Sequence, residues 1–425
     1  MLSGSQQEGS NLSSVNLAVP SQELAGQSLY VKETDTRAAR KPIHFPWLTE
    51  ARFFAAFAVL IHHTAQARWL AGLGSQPFGW IEHLGNHGVR VFFVLSGFLI
   101  THLLLTEKAK TGTIAIKKFY LRRVLRIWPL YYALLAVAIA IPAGWLVVKE
   151  PSMLATLASA KFQDWPIKFT LLACLLPNLA LMAYPAMLGF AQAWSVGVEE
   201  QFYLLWPVLM KRLGDKPLLA LGGVLSVKVA IVLAFNYIFF FSGIQLTPQL
   251  HQQLACAFNF VNIFQIEAMV IGGTAAYLLL QNRQFFVSLT RNNLFKLATG
   301  ICMVVCLSQA WSQLHEQIGC DIVYALLLLT LTLNGPKLPE FIEKPLSYFG
   351  KISYGIYMLH PLVICLVVKA LSMTRIPVSN TFFGVLMCLS IIALTLLFSS
   401  ASYELFERRF LNIKKKYMVI ESSAT

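Results

Sequence analysis

Apolar residues in this chain fall into runs of about 20, separated by short polar stretches, rather than at the alternating or helical spacing of a soluble core. A helix of that length matches the hydrocarbon thickness of a bilayer. Ten such runs stand out, at 48–66, 88–106, 128–148, 194–211, 217–240, 259–281, 294–312, 319–335, 352–371 and 381–403. They predict an all-α, polytopic transmembrane helical bundle of about ten spans. An eleventh apolar stretch, 169–190, is interrupted by Pro177, Asn178, Pro185 and Gly189. That pattern suits a re-entrant or interfacial segment held against protein rather than a crossing.

Loop charges give the runs a direction. Lys108, Lys110, Lys117, Lys118, Arg122 and Arg123 precede the third run, and Lys211, Arg212 and Lys216 follow the fourth. Residues 241–258 and 312–318 contain no Lys or Arg. Basic loops stay on the cytoplasmic side. The alternation works only if 169–190 does not cross, which places both termini in the cytoplasm. The sequence therefore divides into a disordered cytoplasmic tail (1–44), a transmembrane domain (45–410) and a short basic cytoplasmic tail (411–425). Composition agrees: 56% of residues are hydrophobic and 13% charged, where soluble domains carry about 25% charged residues. The net charge of +14 reads as a topology signal, with the lipid bilayer as partner and no nucleic acid. The seven cysteines form no CxxC pair, and no metal site is expected.

Ionisable groups inside apolar runs are costly at bilayer depth and mark sites. Arg52 and His63 are eleven residues apart, and eleven steps of about 100° return a helix almost to its starting angle. They share a face, with Arg52 near the inner end of the first span and His63 near the outer end; His62 points elsewhere. In "AWSVGVEEQFYLLWP" (193–207), Glu199 shares a face with Ser195 and Tyr203. At similar depth, Glu199 is expected to meet and orient His63, making it a base for a hydroxyl proton. Arg122, Arg123 and Arg126 form a cluster able to grip phosphate oxygens, or to serve only as a topology signal. Arg90 and His360 are further candidate substrate contacts, although a histidine just before Pro361 also suits a structural role. His83 and His87 lack a clear third ligand for a metal.

The segments "LTEARFFAAFAVLIHH", "GVRVFFVLSGFLI", "FYLRRVLRIWPLYY", "WSVGVEEQFYLLWP" and "SYGIYMLHP" together resemble acyltransferase family 3, integral-membrane O-acyltransferases of sugars and other exported molecules. The resemblance covers essentially all of 47–410 and has the form without an appended esterase-like domain. It implies His63 as catalytic histidine, Glu199 as acidic partner, and Arg123 and Arg126 at the acyl-donor end. Thr49 and Ala51 depart from the family's opening Asp and Leu, Val196 stands where Leu is frequent, and Arg409 where Pro is usual.

The function so implied is transfer of an acyl group, acetyl by family prevalence, from cytoplasmic acyl-CoA to a hydroxyl of a cell-envelope or exported glycan, the acceptor being a glycan or lipid-linked saccharide. Arg52, Arg122, Arg123 and Arg126 would bind the donor; Arg90, Ser195, Tyr203 and His360 are candidate substrate-site residues. No permanently bound cofactor is implied, and the expected location is a bacterial inner membrane. The alternative from a different class is a proton-coupled transporter or flippase, in which His63, Glu199 and His360 relay protons. A non-catalytic envelope scaffold gives no reason for so many buried ionisable groups.

Overall fold

The computed structural model describes residues 45–70, 79–140, 165–184, 187, 189–241, 247–308, 314–373 and 381–419. The sequence-based tail 1–44 lies outside them, as do 141–148 of the third predicted span and 309–312 of the seventh. Among the described residues every regular element is a helix, with no strand. In chain order the helices are α1 (Leu48–Leu70), α2 (Gly79–Thr111), α3 (Ile116–Ala140), α4 (Trp165–Ala173), α5 (Pro177–Ala183), α6 (Trp194–Leu213), α7 (Pro217–Asn236) and α8 (Pro248–Ile263). There follow α9 (Ile266–Gln281), α10 (Arg283–Arg291), α11 (Asn293–Ser308), α12 (Leu314–Asn334), α13 (Glu340–Lys351), α14 (Ser353–Ser372), α15 (Thr381–Ser402) and α16 (Arg408–Lys415).

The described part of each predicted span is helical, with 259–281 divided between α8 and α9 at residues 264–265, and the chain forms a helical membrane bundle. By length and apolarity alone, seven helical segments among the described residues suffice to cross a bilayer. The other three predicted spans fall on α1, α6 and α11. Glu50, Arg52 and two histidines dilute α1, Glu199 and Glu200 dilute α6, and α11 is only 16 residues long. The stretch 169–190 breaks where Leu175 takes a left-handed backbone (φ 60°) ahead of Pro177. The flanking helices α4 and α5 have nine and seven residues. A nine-residue helix is roughly 14 Å long, too short for a crossing of about 30 Å.

Helix α2 lies at the centre, packed on α1 and α9. Small residues set these distances, as lipid-embedded packing requires. A Cβ on Gly97 would collide with the backbone of Met269, and one on Gly272 with the carbonyl of Val94. By contrast, a Cβ on Gly300 of α11 meets nothing within 4 Å. Gly97→Val is therefore expected to force α2 and α9 apart and to cost about 1–3 kcal/mol or more, read as a lower melting temperature in detergent. Gly300→Ala should melt no lower than the parent.

Candidate active site

Two polar layers form where α1, α2, α3, α6 and α14 converge. The upper one is built around His63. Its Nδ1 lies 3.0 Å from the carbonyl of Val59 and 3.2 Å from Nε2 of His360. The Nδ1 of His360 is in turn 3.2 Å from the carbonyl of Ile356. A carbonyl only accepts, so both Nδ1 atoms carry protons. His360 Nε2 is then the acceptor for His63 Nδ1–H, and His63 Nε2 is left with an unshared lone pair. His360 is fully buried, and it is the group that orients His63. His62 turns away: its Nδ1 lies 3.1 Å from the carbonyl of Ile81, and its ring fills the hollow over Gly85.

The lower layer is a chamber of about 70 Å³ whose lining includes Arg52, Ser96, Arg123, Arg126, Glu199 and Tyr203. Ser96 donates to one Glu199 oxygen at 2.8 Å and Tyr203 to the other at 2.9 Å. Arg123 and Arg52 balance the carboxylate's charge. This corrects the expected pairing of Glu199 with His63. Gly85 marks the level of the histidines on α2, and Ser96 lies eleven residues further on, roughly 16 Å along the axis. Equal position within two predicted spans did not mean equal depth, because α6 starts below the level of the histidines.

Ser195 and Tyr357 close the top of the chamber. The Ser195 and Tyr357 hydroxyls are 2.6 Å apart and share one hydrogen bond, and both reach the carbonyl of Gln192, at 3.4 and 3.0 Å. Tyr357 precedes His360 by less than one helical turn. Neither the chamber nor the larger cavity below it includes His63 in its lining.

The three arginines of α3 separate. Arg126 lines the chamber and the larger cavity alike. Arg123 stacks 5.2 Å from the Tyr203 ring and 5.6 Å from that of Phe119, with its Nε buried and without a hydrogen bond. Arg122 leaves the expected cluster: it donates to the carbonyl of Tyr417 at 2.9 Å and lies 3.7 Å from Glu107. One residue of helical rotation is enough to aim it at α2 instead.

Arg90 is also not placed as a substrate contact. It is 1% exposed and bound to Asp321, Glu267 and Gln317. Sequence reasoning overlooked Glu267, Asp321 and Lys228. The signal was present: each is a lone charge inside an apolar run, which implies a buried partner. His87, weighed as a metal ligand, has Nδ1 2.7 Å from the Tyr324 hydroxyl. Among the described residues no group of three His, Cys, Asp or Glu is placed to hold a metal ion.

The larger cavity, of about 910 Å³, opens beyond Arg52 and Arg126. Its walls bring together Trp47 before α1, Lys337 before α13, Tyr348 and Lys351 of α13, Tyr403 after α15, and Lys414 of α16. An oriented imidazole, a polar chamber and a basic cavity in series within a membrane bundle fit a transferase that works at bilayer depth.

A family model described as an acyltransferase domain matches residues 45–400. The chain belongs to this family, acyltransferase family 3. It is 31% identical over 182 residues to the peptidoglycan O-acetyltransferase OatA of Listeria monocytogenes, a match covering 41% of this chain and 25% of the relative. It is 30% identical over 174 residues to the O-acetyltransferase OatA of Staphylococcus aureus, covering 40% and 25%. A putative O-acetyltransferase of Staphylococcus aureus is 28% identical over 183 residues, covering 41% and 26%. The chain thus spans about a quarter of the length of the curated relatives it matches. No solved structure matches it significantly.

Proposed function

We propose that this chain is an integral-membrane O-acetyltransferase that takes an acetyl group from acetyl-CoA on the cytoplasmic side and delivers it to a hydroxyl of an envelope glycan. The relatives named for peptidoglycan O-acetylation make that polymer the first acceptor to test. One observation carries the reading: the His63 lone pair is fixed by His360 just above a chamber lined by Arg52 and Arg126. That arrangement suits a base meeting a donor that enters from below. Both termini lie on the donor's side in this reading, and 45–410 is the working domain.

In the reaction, the acceptor hydroxyl gives its proton to His63 Nε2 as its oxygen bonds to the thioester carbonyl carbon. The tetrahedral intermediate collapses with cleavage of the C–S bond, and the imidazolium returns the proton to the leaving thiolate. A positioned base contributes about 10²–10⁴-fold. Glu199 does its work in the chamber, where it balances Arg52 and Arg123 and fixes Tyr203. For the thioester to reach His63, the Ser195–Tyr357 hydrogen bond has to part as the donor's arm passes.

The test is purified protein in detergent with isotopically labelled acetyl-CoA and soluble peptidoglycan fragments, followed by mass analysis. Gain of one labelled acetyl unit supports the reading. No gain, with glycan transport in sealed vesicles instead, overturns it in favour of a transporter. His360 supplies a finer check. His360→Leu is expected to slow transfer roughly 10–100-fold, the scale on which loss of a ring-orienting partner acts at metal-bound histidines. His360→Gln, whose amide oxygen can still accept from His63 Nδ1, should recover part of that loss, with KM for the donor unchanged in both.

A further inference from the structure

The cavity below the chamber holds more positive charge than its own carboxylates neutralise. Lys414 is 4% exposed and lines it. No hydrogen bond or salt bridge joins this lysine to an acceptor among the described residues, and the charges acting on it are those of Arg126, Arg123, Arg52 and Arg122. Burying an ammonium among guanidinium groups costs several kcal/mol unless it sheds its proton or an anion joins them. Of the carboxylates in the walls, Glu404 is taken by Arg408 at 2.6 Å, which leaves Glu50 and Glu343 among the remaining lining residues. Glu407 and Glu199 act on Arg126 from outside the cavity, but the lining itself holds seven Lys and Arg against three Glu.

Size and wall chemistry narrow the ligand. Ligand pockets run to about 300–1,000 Å³, so 910 Å³ holds a nucleotide with room for its phosphates. Trp47, Tyr348 and Tyr403 offer flat apolar faces. Trp47 is held in a left-handed backbone conformation (φ 66°), with its indole N–H donating to the carbonyl of Pro336 at 3.0 Å. Arg52 and Arg126 are common to this cavity and the chamber, so a ligand seated here has a direct line for a narrow tail toward Tyr357. A lipid phosphate shares the anionic head, and dependence on the 3′-phosphate distinguishes the two.

Resting on the acyl-CoA reading above, we infer that this cavity seats the 3′-phosphorylated adenosine diphosphate end of the donor. Lys337, Lys351 and Lys414 grip the phosphates there, and an aromatic wall meets the base. The pantetheine arm then continues past Arg126 into the chamber, and Arg122 takes no part.

The test is calorimetric titration of the whole chain, in nanodiscs of neutral phosphatidylcholine, with coenzyme A, its 3′-dephospho form and pantetheine. The parent is expected to bind coenzyme A at least tenfold more tightly than the dephospho form. The double variant Lys337→Gln/Lys351→Gln, whose lysines are exposed, and separately Lys414→Gln should each weaken coenzyme A at least tenfold while pantetheine binding stays as in the parent. Arg122→Gln should bind coenzyme A like the parent. Unchanged coenzyme A affinity in both lysine variants overturns the assignment and leaves the donor reading standing. A parent that binds no coenzyme A overturns the donor reading and this one together. Loss of coenzyme A binding on adding phosphatidylglycerol, with no preference for the 3′-phosphate, makes the cavity a lipid seat instead.

Discussion

Alanine at position 63 is expected to lower acyl transfer by about 10²–10⁴-fold, the full contribution of a positioned base, while alanine at position 62 keeps most of the activity. The two histidines are adjacent in sequence, so a general disturbance of α1 would affect both alike. Their surroundings differ. His63 Nε2 is the ring nitrogen left free by the hydrogen bonds to Val59 and His360. His62 is committed to the carbonyl of Ile81 and packs over Gly85, so its removal costs packing between α1 and α2. His62→Ala should therefore lower the melting temperature more than the rate per folded molecule. His63→Ala should retain affinity for coenzyme A, because the base lies outside both cavities. The measurement is a single-turnover rate with labelled acetyl-CoA, paired with donor binding on the same preparations. Parental rates in His63→Ala would end its assignment as the base.

The helices were legible in the sequence because bilayer thickness writes itself into run length. The shared face of Arg52 and His63 was legible too, since both lie on one helix and rotation of about 100° per residue fixes the angle. Relations between helices were not. Which residue meets Glu199 depends on how far α6 slides against α2, and no pattern within "WSVGVEEQFYLLWP" records that; the structure places Ser96 there. Arg122 shares a helical face with Arg126, yet Glu107 on the neighbouring α2 draws it away. His360 had two readings, as a site residue or as a satisfied core histidine. It is a buried residue whose partner is the candidate base itself. The basic cavity was the least visible, because Trp47, Lys337, Lys351 and Lys414 come from four separated parts of the chain.

The second large effect concerns stability and falls on Arg90. Its guanidinium makes two bonds to the Asp321 carboxylate and one at 3.0 Å to Gln317, and lies 3.4 Å from Glu267. Lys228 completes the group, 3.1 Å from Glu267 and within 2.5 and 2.6 Å of the carbonyls of Val261 and Phe264. The lysine thereby caps carbonyls exposed where the chain breaks between α8 and α9. Two cations and two carboxylates, each 5% exposed or less, join α2, α7, α9 and α12. Each charge is tolerated only because the other three are present. Asp321→Leu is expected to cost about 3–5 kcal/mol, since it strands Arg90 in an apolar interior. Arg90→Met/Asp321→Leu removes both sides of the bidentate pair and should recover part of that loss, because apolar replacement of a whole buried pair is often close to neutral. Thermal unfolding in detergent reads both. Transfer per folded molecule is expected to survive in the double variant, because this network lies apart from the chamber and from His63. If Arg90→Met instead melts like the parent and raises KM for the glycan acceptor, Arg90 is a substrate contact after all and the network is not what holds these four helices together.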